Sequence, residues 1–148
     1  MVELFLGRYI SVIYTIGYGN RKFEDFIRLL KDLGIEVVAD VRAFPRSKWP
    51  EFTGESLRLS LPGEGIKYVH LEKLGGYRRG GYEAYTRTRE FKEGLGELMK
   101  LAQKKKTVIM CRENYPSGCH RRFIARELKK LGWEVIHLVG KGARQKTL

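Results

Sequence analysis

Short apolar runs rich in β-branched and aromatic residues alternate along this chain with segments whose apolar positions recur every three or four residues. Val12-Ile13-Tyr14-Thr15-Ile16, bounded by Gly17 and Gly19, has the pattern of a first buried strand. Asn20 is placed to cap a helix whose apolar face is Phe23, Phe26, Ile27, Leu30 and Leu33, and Gly34 stops it. Glu36 to Val41 is a second strand. A loop with Pro45 and Pro50 runs from Ala43 to Gly54, and a short helix follows around Glu55–Leu61. Ile66 to Leu71 is a third strand, and Gly75 to Gly81 is a loop holding Arg78 and Arg79 among its glycines. Tyr82 to Gln103 is helical with a break near Thr88. Thr107–Met110 is a fourth strand, a helix from Cys119 or His120 runs to Leu131, and Glu134–Leu138 is a fifth strand. Strands that alternate with helices predict an α/β fold: a single three-layer α/β/α domain over residues 1–148, Rossmann-like, with a mostly parallel sheet of about five strands. There is no internal repeat, linker or low-complexity stretch.

Composition narrows the partner. Lys and Arg total 29 against 17 Asp and Glu, a formal charge of +12. Such an excess favours a polyanion, and the positions of the Arg residues favour nucleic acid met through sequence-independent backbone contacts. Two Cys do not make a secreted disulfide scaffold. Met1 to Ile16 contains Glu3 and Arg8 and reads as a strand rather than a leader peptide. No apolar run approaches the roughly 20 residues of a membrane span. The expectation is a cytoplasmic protein with no membrane partner and an oligomeric state that the sequence does not fix. The only Asn and Gln are Asn20, Asn114, Gln103 and Gln145, while 31% of residues are charged, a balance that leans toward a thermophilic source. Lys104-Lys105-Lys106 sits at a helix C-terminus, where cations complement the dipole.

The groups able to do chemistry all follow strands, at the edge where open α/β sheets bind ligands. Gly17-Tyr18-Gly19-Asn20 follows the first; its glycines permit close backbone approach. Asp40-Val41-Arg42 ends the second. Asp40 is either an ion-pair partner of Arg42 or a catalytic carboxylate. The loop Phe44-Pro45-Arg46-Ser47-Lys48-Trp49-Pro50-Glu51-Phe52 interleaves cations for phosphates with aromatics for an unpaired base, and one or more of Phe44, Trp49 and Phe52 is expected to cap the core instead. Arg78 and Arg79 with Tyr77, Tyr82 and Tyr85 repeat the theme and suggest a lid, or tyrosines half-buried beneath a helix. Cys111 to Arg122 follows the fourth strand with two thiols, a carboxylate, an imidazole and three guanidiniums. Cys111 has three readings: a small core residue, a thiolate nucleophile, or a partner of Cys119. His120 is a general acid–base or a helix-start residue. Glu113 is a second carboxylate that could work with Asp40. Two Cys and one adjacent His fall short of a zinc set, so no metal is expected, and no cofactor is called for.

These segments together resemble the DUF488 family. The resemblance rests on Tyr14-Thr15-Ile16-Gly17-Tyr18-Gly19-Asn20, Asp40-Val41-Arg42-Ala43-Phe44-Pro45-Arg46-Ser47, Tyr68-Val69-His70-Leu71 with Leu74-Gly75-Gly76, and Met110-Cys111-Arg112-Glu113 with Cys119-His120-Arg121. It implies an α/β three-layer domain, and some archaeal relatives have been linked to excision of oxidised bases from DNA. A fainter similarity is to rhodanese-like domains, where an Asp-Val-Arg also ends a strand and a Cys-Arg opens a loop before a helix. The spacing departs from theirs: Ser117 stands six residues after Cys111, where their anion cradle closes with an Arg.

Three functions fit. The first is a DNA-processing enzyme, a base-excision N-glycosylase acting on oxidised bases. It would use Asp40 or Glu113 at the sugar and Lys48 as the amine if the strand were also cut. Arg42, Arg46, Lys48, Arg121 and Arg122 would meet phosphates, Tyr18, Phe44, Trp49 and Tyr85 would stack, and Arg78, Arg79, Cys119 and His120 complete the expected DNA-binding set. The second is a thiol-dependent enzyme with Cys111 attacking and Cys119 resolving. The third is a non-catalytic nucleic-acid-binding module.

Overall fold

The structure is a computed structural model and describes residues 2–5, 7–140 and 143–146. Five strands run parallel: β2 (Arg8–Gly17), β3 (Val37–Asp40), β4 (Lys67–His70), β5 (Thr107–Cys111) and β6 (Glu134–Val139). Two antiparallel strands join them. β1 (Val2–Phe5) pairs with the first residues of β2, and β7 (Ala143–Lys146) pairs with β6. The order is β4-β3-β5-β2-β6-β7, with β1 alongside β2. The fold is therefore α/β with a mostly parallel sheet. The five expected strands are its parallel core.

The antiparallel additions are hidden in the sequence for local reasons. Gly7 adopts φ 75°, a left-handed conformation that reverses the chain inside what reads as one long strand. The sequence Ala143-Arg144-Gln145-Lys146 has no apolar alternation to mark it.

Alternation along each strand sends side chains to opposite faces. Val12, Tyr14, Ile16, Val38, Val108, Met110, Ile136 and Leu138 share one core with Phe26 and Leu30 of α1 (Phe23–Asp32) and Leu57 of α2 (Gly54–Ser60). Ile13, Ala39, Val41, Ile109, Cys111 and Val135 face the other way. They meet Tyr82 and Tyr85 of α3 (Tyr82–Tyr85), Phe91, Leu95 and Leu98 of α4 (Arg89–Lys104), and Ile124, Ala125 and Leu128 of α5 (Arg121–Lys130). Each fully buried side chain of this size contributes roughly 1.5–3 kcal/mol. The break expected near Thr88 separates α3 from α4, where Thr88 Oγ1 accepts from the Phe91 amide at 3.2 Å and starts the new helix. Asn20 does not cap α1. That helix begins after Lys22 with no side-chain cap, which leaves Asn20 free for the site described below.

β2 and β5 are neighbours whose outgoing connections part. From β2 the chain goes through α1 to β3, and from β5 through α5 to β6, with the two helices in the two different cores. The crevice beyond their carboxyl ends is a topological switch point, where such sheets bind ligands.

Candidate functional site

The loops after β2, β3 and β5 meet at that crevice. Pairing of β2 with β5 continues past the strands: the Tyr18 amide donates to the Cys111 carbonyl at 3.0 Å and the Gly19 amide to the Arg112 carbonyl at 2.8 Å. Gly17 and Gly19 lie so close to this loop that a β-carbon on either would collide with Glu113 or with the Asn114 side chain. The third loop is drawn in by Asp40. Its carboxylate is fully buried and takes the Arg42 guanidinium in a fork, Nε to Oδ1 at 2.9 Å and Nη2 to Oδ2 at 2.7 Å. Arg42 Nη1 then donates to the Arg46 carbonyl at 3.3 Å, and Tyr68 Oη donates to Asp40 Oδ2 at 2.6 Å. Burial, followed by the neighbouring carboxylate, pushes the Tyr68 phenol up, so it keeps its proton and donates.

The resulting pocket has a volume of about 310 Å³, at the small end of ligand sites. Its walls include Tyr18 and Asn20, then Arg46, Lys48 and Trp49, then Arg112, Glu113 and Asn114. Trp49 is 45% exposed, and Lys48 Nζ lies 5.3 Å from the centre of its ring. Tyr18 is buried and stacks on Phe52 at 4.5 Å, so it serves as a wall held from behind. A larger hollow, about 680 Å³, adjoins the pocket through Asn20 and Asn114 and carries Arg21, Lys22 and Arg28. The pocket thus offers one exposed indole, one solvent-facing carboxylate, one amine and two guanidiniums. Among the described residues no cluster of three or more His, Cys, Asp or Glu could hold a metal. Among the same residues no helix is long and apolar enough to cross a membrane.

A family model described as "Domain of unknown function DUF488" matches residues 22–128. The chain belongs to the DUF488 family. No curated protein and no solved structure matches it. The DUF488 match takes in the β3 and β5 loops with Asp40, Arg46, Lys48, Trp49, Glu113 and both cysteines, and begins just after Asn20.

Several residues expected at the site have other work in this DUF488 chain. Asp40 is 0% exposed with both oxygens engaged, so it positions Arg42 and cannot meet a substrate. Arg42 is buried and held in that fork, with Nη1 turned to the Arg46 carbonyl. Arg121 is also fully buried. Its Nη2 donates to the Glu113 and Asn114 carbonyls at 2.9 and 3.1 Å, which ties down the loop, while its Nε and Nη1 are buried with no hydrogen-bond partner among the described residues. Tyr85 is buried with its hydroxyl on the Lys73 carbonyl, so it is no stacking platform. Arg78 bends back to the Gly75 and Glu72 carbonyls and lies 4.1 Å from the Tyr85 ring. Arg79 is exposed but, like Arg78, is outside the pocket wall, and Tyr77 of the same loop leans on Phe44 instead. Phe44 is 63% exposed outside the pocket. Phe52 is the loop aromatic that joins the core. Arg122 is on the surface, against Phe123 and the Ser117 carbonyl.

The thiols also exchange parts. Cys111 and Cys119 are both free, with their sulfurs 2.7 Å apart. The hydrogen bond to Cys119 and burial push the Cys111 thiol up. The hydrogen bond from Cys111 draws the Cys119 thiol well below its ordinary value against the cost of burial, helped by His120 and the Arg121 amide. His120 Nε2 sits 2.7 Å from the Val41 carbonyl, and its other nitrogen is 3.7 Å from Cys119 Sγ.

Asn20 and Ser47, which the family motifs contain, and Asn114, which they do not, also line the pocket. Tyr68 enters the sequence reading only through a family motif. Its one further signal is its place in β4, two residues before His70, which pairs in register with Asp40.

Proposed function

We propose that the chain is a DNA-repair enzyme, a base-excision N-glycosylase for oxidised bases, and that the β2–β3–β5 pocket receives the extruded nucleotide. One observation carries the reading: Glu113, Trp49, Lys48, Arg46 and Arg112 share a single small pocket at the switch point. Removing a base requires a pocket outside the duplex, a flat surface for the base and a carboxylate near the departing sugar. Trp49 is the available ring. Glu113 replaces Asp40 as the catalytic carboxylate, because it is the one lining the pocket with its side chain exposed. As the C1′–N bond breaks, its electrons leave with the base. Glu113 stabilises the cationic sugar and takes a proton from the water that attacks C1′, and a proton from solvent neutralises the departing base. Arg46 and Arg112 face the flanking phosphates, and the basic hollow next door continues their track. Lys48 is the amine for a Schiff base at C1′ if strand cleavage accompanies release. In this reading the domain is a three-layer, Rossmann-like α/β/α unit, it spans residues 1–148, and it works in the cytoplasm, which suits its two free thiols.

The test is release of free base from duplexes bearing oxidised pyrimidines. Glu113→Gln should slow release by roughly 100-fold or more while DNA affinity and melting temperature hold. Release no greater than a heat-matched blank would exclude the glycosylase. Steep salt dependence of DNA binding without turnover would then leave the binding module.

A further inference from the structure

The two cysteines bracket the loop that supplies Arg112, Glu113 and Asn114 to the pocket, yet neither thiol lines the pocket itself. Cys111 ends β5 with 2% of its surface exposed, and Cys119 precedes α5 with 9%. Their sulfurs are 2.7 Å apart, within about 0.7 Å of a bonded disulfide distance. Cys119 Sγ accepts the Arg121 amide at 3.5 Å and has His120 Nδ1 at 3.7 Å. The buried, positively charged Arg121 guanidinium acts on the same pair, since it pulls the Cys111 thiol down against the larger effects that raise it. Of the two sulfurs, Cys119 is the one that receives the Arg121 amide and faces His120, so the geometry favours the thiolate there.

We propose that Cys119 and Cys111 form a hydroperoxide-reactive modification site, with Cys119 as the sulfur oxidised first and Cys111 as its resolving partner. The Cys119 thiolate attacks one oxygen of the hydroperoxide. An S–O bond forms, the O–O bond breaks, and the leaving alkoxide or hydroxide takes a proton from water. Cys119 is now a sulfenic acid. The Cys111 sulfur attacks it, the S–S bond forms, the S–O bond breaks, and the departing hydroxide leaves as water with the Cys111 proton. Two thiols and one hydroperoxide thus give a disulfide, an alcohol (water, for hydrogen peroxide) and water. Because the sulfurs already touch, the product clasps the 112–118 loop at its two ends in the conformation that holds Glu113 at the pocket. A dithiol reductant reverses it. The inference stands on the cysteine geometry and is independent of the glycosylase reading.

The probe is hydrogen peroxide at one equivalent on the reduced, folded chain near neutral pH, followed by alkylation under denaturing conditions and peptide mapping. Both thiols should disappear together, with a linked peptide containing Cys111 and Cys119, roughly tenfold or more faster than in the urea-unfolded chain. In Cys111→Ser, dimedone should capture a sulfenic acid on Cys119. Retention of both thiols in the folded wild type, or oxidation no faster than in the unfolded chain, overturns the proposal whatever the variants do. In a folded Cys119→Ser, a dimedone adduct on Cys111 formed at the wild-type rate overturns the assignment of roles.

Discussion

Gly17 and Glu113 meet backbone to backbone: the last residue of β2 leaves no room for a β-carbon beneath the Glu113 carbonyl. The carboxylate at the pocket is therefore positioned by an absent side chain. Gly17→Ala should push the 112–114 segment outward and cost about 1–3 kcal/mol, the usual range for overfilling a packed site. Gly63→Ala is the matching control, since a β-carbon there meets nothing within 4 Å and should change stability by less than about 0.5 kcal/mol. Urea midpoints of the two variants make the comparison. Equal midpoints would mean that the loop yields without cost.

Asp40→Asn separates structure from chemistry. The substitution removes the negative partner of a buried guanidinium while Arg42 stays in place, a change that costs about 3–5 kcal/mol. Tyr68→Phe removes one hydrogen bond to the same carboxylate and should cost less, about 1–2 kcal/mol. Both should lower melting temperature in that order, whereas Glu113→Gln should leave it unchanged. An Asp40→Asn protein as stable as the wild type would make Asp40 a candidate catalyst again.

The parallel core was legible because a strand buried on both faces leaves a run such as Thr107-Val108-Ile109-Met110, and because α1 repeats its apolar residues at helical spacing. The loops that build the pocket were legible for a topological reason: in a parallel sheet every strand's carboxyl end points to the same edge. Side-chain direction was not. Arg121 and Arg122 are neighbours in a basic tripeptide, yet one is fully buried beneath its loop and the other is exposed. The same holds for Asp40 and Glu113, two carboxylates after two strands, of which one is sealed by Arg42 and Tyr68. Which of Cys111 and Cys119 receives the Arg121 amide is likewise a fact of three-dimensional arrangement.

If DNA lies along the pocket and its neighbouring hollow, Arg46 and Arg112 should report it through salt. Removing a cation that neutralises one phosphate should lower the slope of log affinity against log salt by about 0.9 on duplex. Arg46→Ala and Arg112→Ala are the informative pair, with Arg42→Ala excluded because it would break the Asp40 fork. Trp49→Ala should instead weaken binding by about 1–3 kcal/mol with little change in slope, as the loss of a stacking surface does. Titrations at several salt concentrations distinguish the two behaviours. Unchanged slopes in both Arg variants would place the DNA elsewhere.

His137 lies in β6 beside β2, buried, with Nδ1 against Thr15 Oγ1. Burial, and then the nearby Arg121 charge, draws its pKa down to about 4. The unfolded chain binds the His137 proton at an ordinary pKa of about 6.5. Between these values the unfolded state holds more protons than the folded one, so stability rises with pH across that window. The contribution is therefore complete above about pH 6.5 and is lost as pH falls toward 4, to a total of at most about 3 kcal/mol. His137→Gln removes the titration while keeping a polar group beside Thr15. Unfolding free energies measured from pH 7 down to pH 4 should fall more steeply in the wild type than in the variant, with the gap closing across the window. Parallel curves would show that His137 takes up its proton over the same pH range folded and unfolded, against the burial and the Arg121 charge that surround it.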